Sequence, residues 1–594
     1  MSSFGPLVIR AFTQRPTRTL RTATRTVVCV LAFLTAASLG AATVPTFTRD
    51  VAPILFKNCV HCHRPGDIAS HVPFLSYETV RPWAKAIKQE AALRQMPPWS
   101  ADPNASVRFR NDPRLSRQVI DTLVAWVNGG APKGDDTNLP PLPNSDGWLH
   151  PEGLKPDLVI SMPGEFHAPA KGAIPYVRFF AKVPFLEDRW VVASQARPSN
   201  PAIVHHMAIT EVELANGVTP EDLGPMALLA RQLGLPSGLA GARPAVTVPS
   251  NPATFDMLGV YTPGTTFEMY PDDSAKLLRG GKNMYLDFNV HYQATGKPET
   301  DRSTIAFWFR KGPPKHQIFR VPAVGETIIA NGKELLMDTP GVKAEGTRVA
   351  IPPIPPNDGK YELVSVTGFP EPVTIYQLQP HAHLRAKDFN YSIIFPDGRE
   401  QSLLNVPKYD FRWQLAYELD APLHLPAGSK MIVTAHYDNS LNNKYNPAAD
   451  QPVYFRDQNQ SWDEMFTPFV QYSLDNQDLT GPGRIEKPLE SVARGTLEIA
   501  EVVGCLEQGP GSFWTLARAS GPVTSTTQST TSVAVKAAAV KPLGEHRYSL
   551  LGVAAFHPSD SLGGKVAIIG ILIPRAGQTN INITSLQMVS KTCP

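Results

Sequence analysis

Cysteine is scarce, with five in 594 residues, so a dense disulfide scaffold is excluded. Charged residues make up only 18%. After residue 42 no apolar run approaches eighteen uninterrupted residues, and the remainder of the chain is expected to be soluble. A genuine excess of one charge sign is also missing. The formal net charge is +3, but Arg10, Arg15, Arg18, Arg21 and Arg25 crowd the first 25 positions. Without those five, the 56 basic residues fall to 51 against 53 acidic ones, which argues against a nucleic-acid partner. Proline, by contrast, is abundant at 58 residues. It interrupts helices and favours loops and strand edges, so β-rich domains with long connections are expected. The hydrophobic share of 42% supplies several cores, and the length suggests roughly three to five domains.

The early arginines flank an apolar run at 27–39, followed by the small residues Gly40, Ala41 and Ala42. A basic segment, a short apolar core and small residues form a secretory signal, assigned here to 1–42. The protein is therefore expected to be periplasmic or secreted, with membrane association only if that segment stays uncleaved. Cys29 belongs to it. Among the remaining cysteines, Cys505 and Cys593 are candidates for a disulfide closing a large loop, with free thiols as the alternative.

Cys59 and Cys62 stand in Cys59-Val60-His61-Cys62-His63, a CxxCH sequence. Two thiols at this spacing add to the vinyl groups of haem, and the following histidine ligates the iron. Zinc binding would need a second Cys/His pair nearby, and a redox CxxC would need a βαβ setting. One covalent haem c is the expectation, held by Cys59, Cys62 and His63. Met96 is the candidate sixth ligand and His71 the weaker rival. A helix at 115–127 puts Val119, Leu123 and Trp126 near one face, and Gly129-Gly130 ends it. Residues 43–135 thus resemble a small all-α class I cytochrome c domain.

A Pro/Asn/Asp-rich linker occupies 136–149. Short apolar runs follow at 158–162, 177–183, 190–193, 204–212, 284–292 and 304–309, then at 361–367, 373–379, 389–395, 412–419 and 430–437. Two β-sandwich, jelly-roll-like domains are expected, at 150–315 and 316–490. Five further runs in 491–594, interrupted by a Ser/Thr/Ala-rich stretch at 522–540, suggest a small OB-like β-barrel.

Five of the fifteen histidines fall in tight contexts: His205-His206, His291-Tyr292 and His381-Ala382-His383. Alternate strand residues share a face, so His381 and His383 can converge on one ion. Adjacent His205 and His206 need a bulge or a strand end to do the same, and His291 can complete a three-imidazole site. Imidazoles suit copper, zinc or iron. His150, His167, His316, His424, His546 and His557 read as structural, and His436 is left open.

Asp463-Glu464-Met465 follows about eighty residues later. The order His-His, His-Tyr, His-x-His, Asp-Glu-Met over two β domains resembles the copper type II, ascorbate-dependent monooxygenases, including the peptidylglycine α-hydroxylating and dopamine β enzymes. The whole is similar to bacterial proteins in which a cytochrome c precedes this module. The resemblance implies two coppers kept apart across a solvent cleft. His205, His206 and His291 would hold the electron-transfer copper, and His381, His383 and Met465 the copper that meets dioxygen and hydroxylates a C–H bond. It further implies a small-molecule substrate, O2 and an electron donor such as an ascorbate-like reductant or another redox protein. A soft thioether favours Cu(I), the state that must meet dioxygen. The chain departs from the family at Gln379, where the peptide-processing enzyme has a substrate-binding arginine, and at Thr467 and Phe469. Gln379 lacks the bidentate charge of arginine, which argues against a peptide carboxylate as the recognised group. The expectation is an exported haem- and copper-dependent oxidoreductase of the monooxygenase type. The alternative is a copper- and haem-binding electron carrier without catalysis.

Overall fold

The structure is a computed structural model describing residues 44–143, 147–214, 216–217, 246–247, 257–271, 273–324, 327–335, 351–455, 461–480, 499–509, 513–525, 530–575 and 578–594. The expected signal at 1–42 lies outside the described residues. Among the described residues, strands take 41% and helices 13%.

This balance corrects the expected fold class, because no helical cytochrome c domain is evident among the described residues. The N-terminal region has only short helical pieces, among them Ala52–Asn58, Tyr77–Val80, Ala84–Ala92 and Arg117–Asn128. They enclose a small core of Phe47, Leu55, Val80, Ile120, Leu123 and Trp126. Val119 is only half-buried, since the apolar face of the last helix is centred one residue further on. The middle of the region leaves the helices altogether. Trp99 packs edge-on to Tyr417 at 4.7 Å, Phe109 bridges to Leu419, and Ala101 and Phe109 sit in the core of a distant β unit. Backbone bonds from Asp102 to Asn405 and from Arg110 to Glu418 fasten it there. A segment that donates its apolar residues to another unit cannot close a helical domain of its own.

Two sandwiches follow. In the first, a sheet holding Leu158–Ser161, Arg189–Arg197 and Thr304–Arg310 faces one holding Val177–Lys182, Val204–Leu214, Met257–Tyr261 and Met284–Tyr292. Val191, Ile305 and Phe307 of the former meet Phe179, Met207, Ile209, Leu286 and Phe288 of the latter. In the second, Phe319–Pro322, Val373–Gln379, Tyr417–Leu425 and Phe469–Leu474 form the smaller sheet. Tyr361–Phe369, Ala386–Ile394, Glu400–Val406 and Ser429–Tyr437 belong to the larger one. The strand expected at 412–419 begins later, at Tyr417, because 411–416 form a turn that supplies two residues to the site described below.

Both faces of the larger sheet are buried. Leu363 and Val433 point into the sandwich, while Val364, Val366 and Ile432 pack against Val502, Leu516, Ile568 and Ile583 of the last unit. That unit closes on itself, since Ile499–Gln508 pairs with both Trp514–Ala519 and Lys565–Arg575. The stretch at 522–540 is more than an insertion between strands: it contains a helix, Ser532–Val540, capped by Thr531. Cys505 and Cys593 form a disulfide with Cα atoms 5.6 Å apart.

Candidate metal centre

The first three histidines owe their convergence to a defect in strand pairing. Phe288 and Val290 alternate into the sandwich core, which turns His291 to the opposite face. His206 pairs directly with His291, but Tyr292 pairs with Val204, so His205 is the extra residue of a β-bulge. A bulge re-aims its residue, and here it brings His205 beside its neighbours. Ring centroids are 5.4 Å apart for His205 and His206, 5.0 Å for His205 and His291, and 5.1 Å for His206 and His291. One ligand nitrogen from each lies within 4.8 Å of the others.

His381 and His383 lie in the loop after Val373–Gln379 and not on a regular strand. Tyr409 pins that loop, its hydroxyl donating to the Ala382 carbonyl at 2.8 Å and accepting from the Ala382 amide at 3.1 Å. Glu464 accepts from the amides of His383 and Arg385 at 2.8 and 2.7 Å. Nδ1 of His381 donates to the Gln414 side-chain oxygen at 2.7 Å, and Nδ1 of His383 donates to the Asp463 carbonyl at 3.0 Å. These bonds set the tautomer and leave Nε2 of each ring as the lone-pair nitrogen. Met465 is buried next to Glu464, its carbonyl accepting from Tyr437 at 2.8 Å.

The two sets are not separated by a cleft. His206 and His381 stand edge-to-face at 5.6 Å, the same spacing as His381 and His383. Between the sets lies Tyr176, buried, with its hydroxyl 2.9 Å from His206 Nε2 and 3.4 Å from His383 Nε2, and its ring stacked on His291 at 4.5 Å. Phe411 stacks on His205 at 4.5 Å, and Ser461 contacts His291 Nε2 at 2.9 Å. None of Tyr176, Phe411, Ser461 and Gln414 lies in one of the sequence motifs. Glu464 alone stood inside one, and its role as a backbone clamp had no signal in sequence.

Burial dominates the electrostatics. It lowers His205 to about 4, with repulsion from His381 adding to it, His381 to about 4 and His383 to about 3. His206 and His291 are pushed well below the ordinary histidine value by the same loss of water and by neighbouring rings. All five are neutral imidazoles at pH 7, the protonation state a metal ligand requires. Both nitrogens of His205 and Nδ1 of His291 are buried without a hydrogen-bond partner. A bound cation would satisfy those atoms, and imidazole donors suit copper, zinc or iron. A cleft of about 490 Å³, lined in part by Lys171, Ile174, His291, Gln293, Ser461 and Trp462, reaches the edge of His291.

The residues that depart from the family pattern are accounted for locally. Gln379 is buried and donates to the Gln414 carbonyl at 3.2 Å. The Thr467 amide donates to the His381 carbonyl at 3.1 Å. Phe469 packs on Met257 and Val260 of the first sandwich.

At the CxxCH turn, Cys59 caps the helix Ala52–Asn58, and neither it nor Cys62 is in a disulfide. His63 Nδ1 donates to the Val72 carbonyl at 2.9 Å and its ring stacks on Phe74 at 4.2 Å, leaving Nε2 available to iron. Met96 is 37% exposed, and His71 is exposed as well. Tyr261, whose backbone pairs with Met207 next to His206, has its phenol pushed up by burial and further by Asp67 and Cys62. The turn therefore lies close to the strand that carries His206.

His436 belongs to neither group, as its ring bonds Asp388 at 2.6 Å and Glu362 at 3.2 Å.

No protein-family profile and no curated protein matches the chain. Among solved structures, the tandem CBM22 domains of Paenibacillus barcinonensis Xyn10C are 8% identical, covering 53% of this chain and 93% of that one, with a TM-score of 0.13. Infectious bursal disease virus Gt strain is 9% identical over 54% and 73%, also at 0.13. Procruciferin of Brassica napus is 9% identical over 57% and 90%, at 0.10.

Proposed function

We propose that this chain is an exported haem- and copper-dependent oxidoreductase that hydroxylates a C–H bond of a small organic substrate with O2. The observation that carries the reading is the cluster of five neutral imidazoles, four buried and His381 half-buried, drawn from two sandwiches and containing nitrogens without a partner among the described residues. His205, His206 and His291 would hold one copper, and His381, His383 and Met465 the other. Copper bound there would supply one-electron chemistry toward dioxygen. The chain's own part is positional. Gln414 and the Asp463 carbonyl hold the rings of His381 and His383, Glu464 clamps the loop beneath them, and the cleft beside His291 and Trp462 admits a small molecule.

Cys59, Cys62 and His63 would carry one covalent haem c, with an external reductant or redox protein as electron donor. The free Nε2 of His63 and the closeness of the turn to the His206 strand support electron entry on that side. The disulfide and the apolar, arginine-flanked leader support export.

Metal analysis of the full chain, followed by oxygen uptake over a panel of small C–H substrates, tests the proposal. Two coppers with substrate-dependent oxygen consumption are expected. Copper bound without any oxygen-linked turnover would leave an electron carrier, and no copper at all would end the reading.

A further inference from the structure

We propose that the two histidine sets would form one closely spaced two-ion centre with Tyr176 standing between them, in place of two isolated metal sites. This rests on the reading of the imidazoles as copper ligands. His206 is as near to His381 of the other sandwich as His381 is to His383, at 5.6 Å in both cases. Nε2 atoms of both sets share a single hydroxyl, that of Tyr176, at 2.9 and 3.4 Å.

The spacing is set by the fold. The outer face of the first sandwich, which presents His206 and His291, is covered by the second sandwich. Phe469 packs between Met257 and Val260, and Tyr376 joins the first sandwich's core. Arg320, fully buried, contacts both Glu268 of the first sandwich and Gln377 of the second. Parting the sandwiches would break this buried ion pair. His316 Nδ1 donates to the Leu474 carbonyl at 3.0 Å and the Gln317 amide to Gln477 at 2.6 Å, which tie the same seam further along. The first sandwich therefore cannot swing its histidines away while this seam is intact.

Ions held by donors this close interact magnetically. Tyr176 is a positioning residue: its ring stacks on His291 at 4.5 Å, and its hydroxyl stands beside the facing nitrogens of His206 and His383.

The test uses the full chain loaded with cupric ion under argon, with copper counted per chain and electron paramagnetic resonance recorded at each equivalent. One equivalent should give an ordinary mononuclear cupric spectrum. The second should broaden it, reduce its integrated intensity below two spins, and bring up a half-field transition. Tyr176→Phe should still bind two ions but change the half-field intensity and the cupric hyperfine pattern, which mere packing of Tyr176 would leave alone. Two bound ions giving two full, unbroadened spins would overturn the inference while leaving the copper reading standing. A single ion at saturation would overturn it too. Absence of copper would remove both.

Discussion

Burying an imidazole in neutral form is costly wherever a hydrogen bond goes unmade, because a desolvated nitrogen is left behind. His205 is the extreme case, with neither ring nitrogen bonded. Met465, proposed as a ligand of the other set with His381 and His383, is where a sulfur donor should matter chemically. Met465→His is expected to keep copper bound while reducing substrate-dependent oxygen uptake by about two orders of magnitude or more, because a third imidazole no longer favours Cu(I). Any haem spectrum should be unchanged. Oxygen uptake at the unsubstituted rate would remove the thioether from the mechanism. Glu464 offers a second residue-level test. Its carboxylate accepts from the amides of His383, Arg385 and Met465, and an amide side chain cannot accept at both ends. Glu464→Gln should cost about 1–3 kcal/mol in urea unfolding and weaken copper binding at the His381 side. A stable variant with unaltered copper affinity would show that the clamp does not hold the loop.

At the scale of the element, the bulge at His205 and the 380–385 loop do different work. The bulge brings one more side chain to a face that a regular strand would deny it. The loop is held by Tyr409 and Glu464 and not by strand pairing. His381→Ala is therefore expected to lower copper content from two to one per chain, with the bulge site still occupied. Loss of both ions would mean that neither set binds alone.

A pH effect belongs to the central strands of the larger sheet. His436 on Ser429–Tyr437 is raised above its usual value by the bond to Asp388, with further support from Glu362. Its stabilisation is complete below the ordinary histidine value of about 6.5 and is lost as pH rises through the raised folded value. The ring is 37% exposed, so screening by solvent keeps the effect small. His557 also reaches Glu362, at 3.6 Å. The urea midpoint should fall between about pH 6 and pH 9, and His436→Gln should flatten that fall. An unaltered pH slope in the variant would exclude His436 as its source.

For the molecule as a whole, the parts are joined by shared cores. The larger sheet of the second sandwich is buried on both faces, and the 99–112 segment inserts Ala101 and Phe109 into the same core. The Cys505–Cys593 disulfide spans 88 residues and closes the last unit. Reduction or Cys593→Ser should cost about 2–5 kcal/mol, measured as a shift of the urea midpoint for the C-terminal unit. Because that unit's core continues into the sandwich that carries His381 and His383, the shift should extend to loss of any copper bound there at intermediate urea. Separate transitions for the two would show that the shared face does not couple them.

The sequence alone determined which residue types can do chemistry and where many of the strands that carry them run. Alternation of apolar residues along short, proline-bounded runs marks strands from local sterics alone, and His205-His206, His291 and His-x-His stood out because imidazole chemistry depends on residue type. CxxCH was legible for the same reason. The helical domain read around CxxCH failed because a 12-residue helical pattern is local, whereas the destination of Trp99, Ala101 and Phe109 in a core some three hundred residues away is not. The separation of the two histidine sets was likewise decided only in three dimensions. A bulge shifts pairing by one residue, and a seam closed by Arg320, Glu268, Gln377 and Phe469 brings two sheets into contact. Tyr176 and Gln414 acquire their roles only from that contact, since a lone tyrosine or glutamine looks like any other until the fold sets an imidazole beside it.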